Sequence, residues 1–172
     1  MGDPSAPKLD AAALLHVLDA HGVRYVVVGG LAATAHGATR VTFDVDLVPE
    51  WSDANLERLA SALRELDARL FVGDADEPLQ FPIDAQSLRQ FEVSTWRTRA
   101  GDVDVIVGTP TTTRGMLAGY DALASRADER TAFGVTVSIA SLDDIIESKE
   151  ALGREPDLVA LPELHRLRGR RR

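Results

Sequence analysis

"GATRVTFDVDLVPE", residues 37–50, is the stretch on which the architecture turns. Successive side chains alternate in extended backbone, so Val41, Phe43, Val45 and Leu47 fall on one face, and Arg40, Thr42, Asp44 and Asp46 on the other. The first face suits a core. The second sets two carboxylates side by side, where like charges repel and burial costs solvation, so a cation is expected between them.

On either side of this strand the chain alternates its elements. "RYVVVGG" (24–30) is a short apolar run closed by two glycines and reads as a buried strand, and the small residues of "LAATAHG" (31–37) predict a short helix after it. Upstream, residues 9–21 have helical apolar spacing with Asp10 as N-cap and Gly22 as the stop. Downstream, Leu56, Leu59, Ala60, Leu63 and Leu66 form a helical stripe over 53–66, with Ser52 or Asp53 as its cap.

Residues 70–90 read as loop, with Asp74, Asp76 and Glu77 a solvated acidic stretch. "QFEVSTWRT" and "DVDVIVG" predict a hairpin about "RAG", with Phe91 and Trp96 as packing residues. A helix near 112–126, a strand in "FGVTVSIA", a helix capped by Ser141 and Asp144, and a last helix after Pro156 complete the chain. No repeat or linker divides it. One domain over 1–172 is expected, an α/β (α+β) fold with a mixed central sheet flanked by helices and a flexible basic tail at 165–172.

At 172 residues the chain is long enough to bury roughly 70% of its unfolded surface. Its net charge of -8 argues against nonspecific adhesion to nucleic acid or anionic membrane, except at the tail that carries Arg166, Arg168, Arg170, Arg171 and Arg172. The absence of cysteine excludes a thiol nucleophile and a zinc–thiolate site. No hydrophobic run approaches a signal peptide or membrane span, and a cytoplasmic location is expected.

The predicted hairpin repeats the opening pattern, because Asp102, Asp104 and Ile106 share a face. Three carboxylates on neighbouring strands form a hard oxygen set of the kind that Mg²⁺ or Mn²⁺ prefers, and such ions commonly hold substrate phosphates. Asp104, inside the strand, is the stronger third ligand; Asp102 follows Gly101 and is equally readable as turn chemistry. Gly29 and Gly30, between strand and helix, would let backbone N–H groups approach a polyphosphate. Lys149, one of two lysines in the chain, reads either as a phosphate contact or as an exposed helix residue paired with a glutamate. Arg40 is either a phosphate clamp or the salt-bridge partner of the aspartates. Asp157 either supports Lys149 or caps the last helix, and His36 reads as an ordinary helix-end residue.

A Gly-Gly turn, a D-x-D strand and a later acidic strand residue resemble the nucleotidyltransferase superfamily, the polymerase-β-like fold. "HGATRVTFDVDLV" looks like the R-x-T-x-D-x-D signature of AbiEii/MenT-type toxins, and "SLDDIIESKEALGREPDLVALPEL" resembles their later lysine motif, with Lys149, Arg154 and Asp157 at matching positions. The resemblance runs from about residue 23 to 164. It departs at Gly30, where many toxins have serine, and in lacking the large C-terminal helical region of the longer toxins. It implies a minimal nucleotidyltransferase fold and Mg²⁺-dependent transfer of NMP from an NTP to an acceptor hydroxyl. Asp44, Asp46 and Asp104 would be metal ligands. Gly29, Gly30, Arg40, Thr42, Lys149, Arg154 and Asp157 would bind the nucleotide. The kinship implies the 3′ end of tRNA as acceptor and a toxin role with a cognate antitoxin; a protein or small-molecule acceptor, or an inactive nucleotide- or partner-binding module, are the alternatives.

Overall fold

A computed structural model describes residues 7–73 and 77–170. The elements in chain order are α1 (Ala11–Ala20), β1 (Tyr25–Val28), α2 (Gly29–Ala35), β2 (Asp44–Pro49), α3 (Asp53–Glu65), β3 (Arg69–Phe71), α4 (Ala85–Leu88), β4 (Val93–Thr98) and β5 (Gly101–Ile106). They are followed by β6 (Gly108–Pro110), β7 (Leu117–Gly119), α5 (Tyr120–Ala124), β8 (Asp128–Ala132), β9 (Val135–Ile139), α6 (Leu142–Leu152) and α7 (Glu155–Gly169).

Seven strands form one mixed sheet in the order β3-β4-β5-β2-β1-β9-β8. The pair β2–β5 is parallel and β1–β2 antiparallel, so the two acidic strands lie side by side at the centre. The sequence reading of a mixed α/β sheet with flanking helices is borne out.

Alternation in β3, β4 and β5 separates two faces. Leu70, Trp96, Val103 and Val105 are buried and join Val45 and Leu47 of β2 in one core with Leu14, Leu56 and Leu63. Phe71, Thr95, Arg97, Asp102 and Asp104 point to the other, partly exposed face. Trp96 packs as expected, its indole N–H donating to the Ser94 hydroxyl, and Phe91 meets Phe81 edge to face. The caps are also as read: Asp10 and Ser52 accept from Ala13 and Asn55 N–H, and Ser141 accepts from Asp144 N–H.

Several expectations need correction. The acidic strand begins at Asp44, and residues 40–43 are loop: Val41 and Phe43 are 72% and 61% exposed rather than core. Thr42 ends the loop by donating its hydroxyl to the Asp44 carboxylate, at 2.8 Å, which is turn chemistry that apolar alternation conceals. Residues 70–90 contain a short strand and a helical turn; Asp74 and Asp76 lie outside the described residues.

The helix expected over 112–126 exists only as α5. Gly115, in left-handed backbone, turns residues 108–119 into the β6–β7 hairpin instead. Strand β8, "DERTA", escaped notice because a solvated edge strand carries no apolar alternation. Helix α7 runs to Gly169, so Arg166 and Arg168 are helical rather than part of a flexible tail; Arg171 and Arg172 lie outside the described residues. Among the described residues no helix is long and apolar enough to cross a membrane.

Candidate active site

The registers Asp44↔Asp102 and Asp46↔Asp104 bring the carboxylates of β2 and β5 onto one side of the sheet. Asp44, Asp46 and Asp104 line a cavity of about 350 Å³, whose opposite wall is α6 with Lys149 and Leu152. Asp102 is set apart: Arg97 holds both its oxygens, at 3.1 and 3.3 Å. Asp104 thus joins Asp44 and Asp46 in the cavity lining, and Asp102 does not.

The glycine turn and the second aspartate fit together sterically. Gly29 has φ of +62°, and a Cβ placed there would lie 1.9 Å from Asp46 Oδ2. At Gly30 a Cβ would lie 2.6 Å from the Thr42 hydroxyl, so the departure from serine makes room for the threonine at the loop end. The Gly30 N–H donates to Asp46. A backbone donor of the first turn of α2 thus points into the acidic site.

Burial, reinforced by Asp44 and Asp104, pushes the Asp46 carboxyl up to about 7, against the Gly30 N–H and Lys149. Asp104 is also raised, first by desolvation and then by Asp44 and Asp102, with the Thr95 hydroxyl opposing. Its Oδ1 is buried without a hydrogen-bond partner. Three carboxylates lining one cavity, one carrying an orphaned buried atom, suit a hard divalent cation. As the side chains stand, no three His, Asp or Glu groups among the described residues are gathered to hold a metal ion.

Opposite the carboxylates, Asp157 is 2% exposed in the first turn of α7. It accepts from Lys149 at 3.0 Å and from Arg154 at 2.7 Å. Burial alone would raise its pKa, but these two donors outweigh it and hold Asp157 below the usual carboxylate range. Lys149 is thus oriented by an aspartate, where the sequence allowed a glutamate pair.

Lys149, Arg154, Asp157, Gly30 and Asp44 also line a second cavity of about 650 Å³ between α7 and the loop carrying Arg40 and Thr42. Arg40 donates to the Pro156 carbonyl at 3.0 Å, and Thr39 donates through N–H and hydroxyl to Glu163, which anchors that loop to α7. His36 caps α2 and donates to the Ala140 carbonyl at 2.7 Å, a structural role as expected. The sequence missed the pairing of Arg97 with Asp102 and its stacking 4.4 Å from the Phe71 ring centroid. The alternation of "STWRT" was the available signal, but only strand register shows which carboxylate lies opposite.

No protein-family profile matches the chain, and no curated protein sequence does so. Similarity lies in three-dimensional structure. The solution structure of the antibiotic-resistance factor ANT(2'')-Ia is 18% identical over 91% of this chain and 81% of its own, with a TM-score of 0.53. The crystal structure of ANT(2'')-Ia in complex with adenylyl-2''-tobramycin is 17% identical over 91% and 86%, also with 0.53. A candidate nucleotidyltransferase from Thermotoga maritima, TM1012, is 12% identical over 94% and 97%, with 0.56. At these identities the likeness establishes the nucleotidyltransferase fold.

Proposed function

We propose that the protein is a nucleotidyltransferase that moves NMP from an NTP to an acceptor hydroxyl. The observation that carries this is the convergence, in one cavity, of Asp44, Asp46 and Asp104 with the Gly29-Gly30 turn and Lys149. The nucleotidyltransferase fold supports it.

Asp44, Asp46 and Asp104 would hold Mg²⁺ or Mn²⁺, which when bound supplies charge neutralisation at the α-phosphate. Gly29 and Gly30 let the phosphates approach the backbone. Lys149, kept in place by Asp157, Arg154 beside it, and Arg40 and Thr42 across the second cavity, bind the β- and γ-phosphates. Asp104, whose Oδ1 has no hydrogen-bond partner, takes the proton of the acceptor hydroxyl. The hydroxyl oxygen bonds to the α-phosphorus, the α–β bridging bond breaks, and pyrophosphate leaves. Most of the rate enhancement comes from alignment and charge.

The signature spanning residues 36–48 supports a role like that of AbiEii/MenT-type toxins, with the 3′ end of tRNA as acceptor, a cognate antitoxin as partner and cytoplasmic NTP as donor. A second reading, a small-molecule acceptor, is favoured by the fold shared with ANT(2'')-Ia. α-³²P-labelled NTP offered with Mg²⁺ to tRNA, to total protein and to an aminoglycoside separates them. Label on tRNA with release of pyrophosphate, lost in Asp44→Asn, is expected; label confined to protein or to the small molecule would overturn the tRNA assignment.

A further inference from the structure

The cavity that holds the carboxylates continues into a region of different chemistry. Ile106 follows Asp104 on the same face of β5, roughly 7 Å further along the strand, and Val93 of β4 lies opposite it in register. Both line the cavity, together with Thr109 and Pro110 of β6. Across from them α6 presents one helical face, made of Ile145, Ser148, Lys149 and Leu152. Lys149 is the only charged residue of that face, and Leu152 lies one turn beyond it.

Two features mark this region as a binding surface rather than core. Val93 and Leu152 are 58% and 43% exposed although both are apolar and both line the cavity. Covering them with a ligand would remove apolar surface from water. The polar side chains beside them, Thr109 and Ser148, are uncharged hydroxyls that can donate or accept. Asp144 also lines the cavity, but its carboxylate is engaged by Arg126 and by the Ser141 hydroxyl, both at 2.6 Å.

We propose that this region seats the base of the NTP, with Val93, Ile106 and Leu152 against its faces and Thr109 and Ser148 at its edge, and that it grips the base without telling one from another. The proposal rests on the NMP-transfer reading and adds to it the part of the NTP that the carboxylates and cations leave untouched. A ligand whose phosphates meet Lys149 and the carboxylates, and which continues along β5, must present an apolar face with a few hydrogen-bonding groups. A nucleobase is such a group. Among the described residues no aromatic ring lines the cavity, so the contact is aliphatic and tolerant of ring size. A hydroxyl serves a carbonyl or an amino group equally, so neither Thr109 nor Ser148 imposes one pattern of donors and acceptors.

The test compares ligands with and without a base. Calorimetry in Mg²⁺ measures binding of the α,β-methylene analogues of the four NTPs and of inorganic tripolyphosphate, which offers the phosphates alone. The unmodified protein should bind each analogue at least about tenfold more tightly than tripolyphosphate, and the four analogues within about tenfold of one another. Leu152→Ala and Val93→Ala should each weaken the analogues by about fivefold and leave tripolyphosphate within about twofold. Both replace exposed side chains, so the fold survives them. Unchanged analogue affinity in both variants overturns the seat, as does a loss shared equally by tripolyphosphate. A preference for one base beyond about tenfold overturns the indiscriminate grip. Tripolyphosphate bound as tightly as the analogues also overturns the seat and leaves the transfer reading standing. Absence of binding by every one of these ligands overturns the transfer reading itself.

Discussion

Asp46 and Asp157 line the same cavity and have opposite electrostatics. Asp157, on a helix, receives Lys149 and Arg154 and ionises more easily than an ordinary aspartate. Asp46, on a strand, receives the Gly30 N–H but faces Asp44 and Asp104, and is pushed up to about 7. The helix carboxylate is complete without a ligand and serves to place a lysine. The strand carboxylates leave an unmet electrostatic demand, a cost that a fold retains where a cationic ligand offsets it. Each site therefore has its own signature: substitutions at Asp157 should cost stability, and substitutions at the strand carboxylates should cost activity.

The largest effect is expected at the strands. Asp44→Asn and Asp104→Asn should each lower NMP transfer by at least about a thousandfold, roughly 4 kcal/mol of barrier, while the urea midpoint at pH 8 holds or rises. A loss of stability comparable with that of Asp157 variants would erase the distinction. Gly29→Ala comes next, because its Cβ would press on Asp46 from a left-handed backbone. A destabilisation of about 3 kcal/mol in chemical unfolding is expected, with activity lost alongside.

Asp157→Ala should cost about 2 kcal/mol of stability and raise the KM for NTP more than it lowers kcat, since Lys149 loses its anchor. Unfolding titrations and steady-state kinetics measure the two arms.

The last effect is a slope, gradual in pH. A carboxyl raised from 3.8 to about 7 on folding binds its proton more tightly in the native state. Its contribution is fully present below the unfolded value and is lost as pH rises through the folded one. Without divalent ions, stability should therefore fall between pH 4 and 7 by up to about 1.4 kcal/mol per pH unit from this group, and level off above. Asp46→Asn should flatten that slope. Added Mg²⁺ at pH 8 should raise the Tm of the unmodified protein more than that of the variant.

The fold was legible wherever burial or a cap marks the sequence. The apolar run at 25–28, the leucine stripe of α3 and the capping pair Ser141 and Asp144 each identify their element, because burial and capping leave periodic marks. Strand β8 and the β6–β7 hairpin were not legible, since solvated strands and glycine-turned hairpins carry little alternation. Val41 and Phe43 show the reverse failure: apolar residues that alternate and yet lie in an exposed loop.

The residues of the site were present in the sequence as types and spacings: Gly29-Gly30, Asp44 with Asp46, and the two aspartates of β5. Local alternation alone determined that each pair of aspartates shares a strand face. Only the tertiary structure sets Asp102 and Asp104 apart in surroundings, because Arg97 lies opposite the first carboxylate and Thr95 opposite the second. It also decided that Lys149 answers to Asp157, and that the carboxylates line two cavities. Strand order and register are long-range properties, set by how the whole core packs, and no local pattern encodes them.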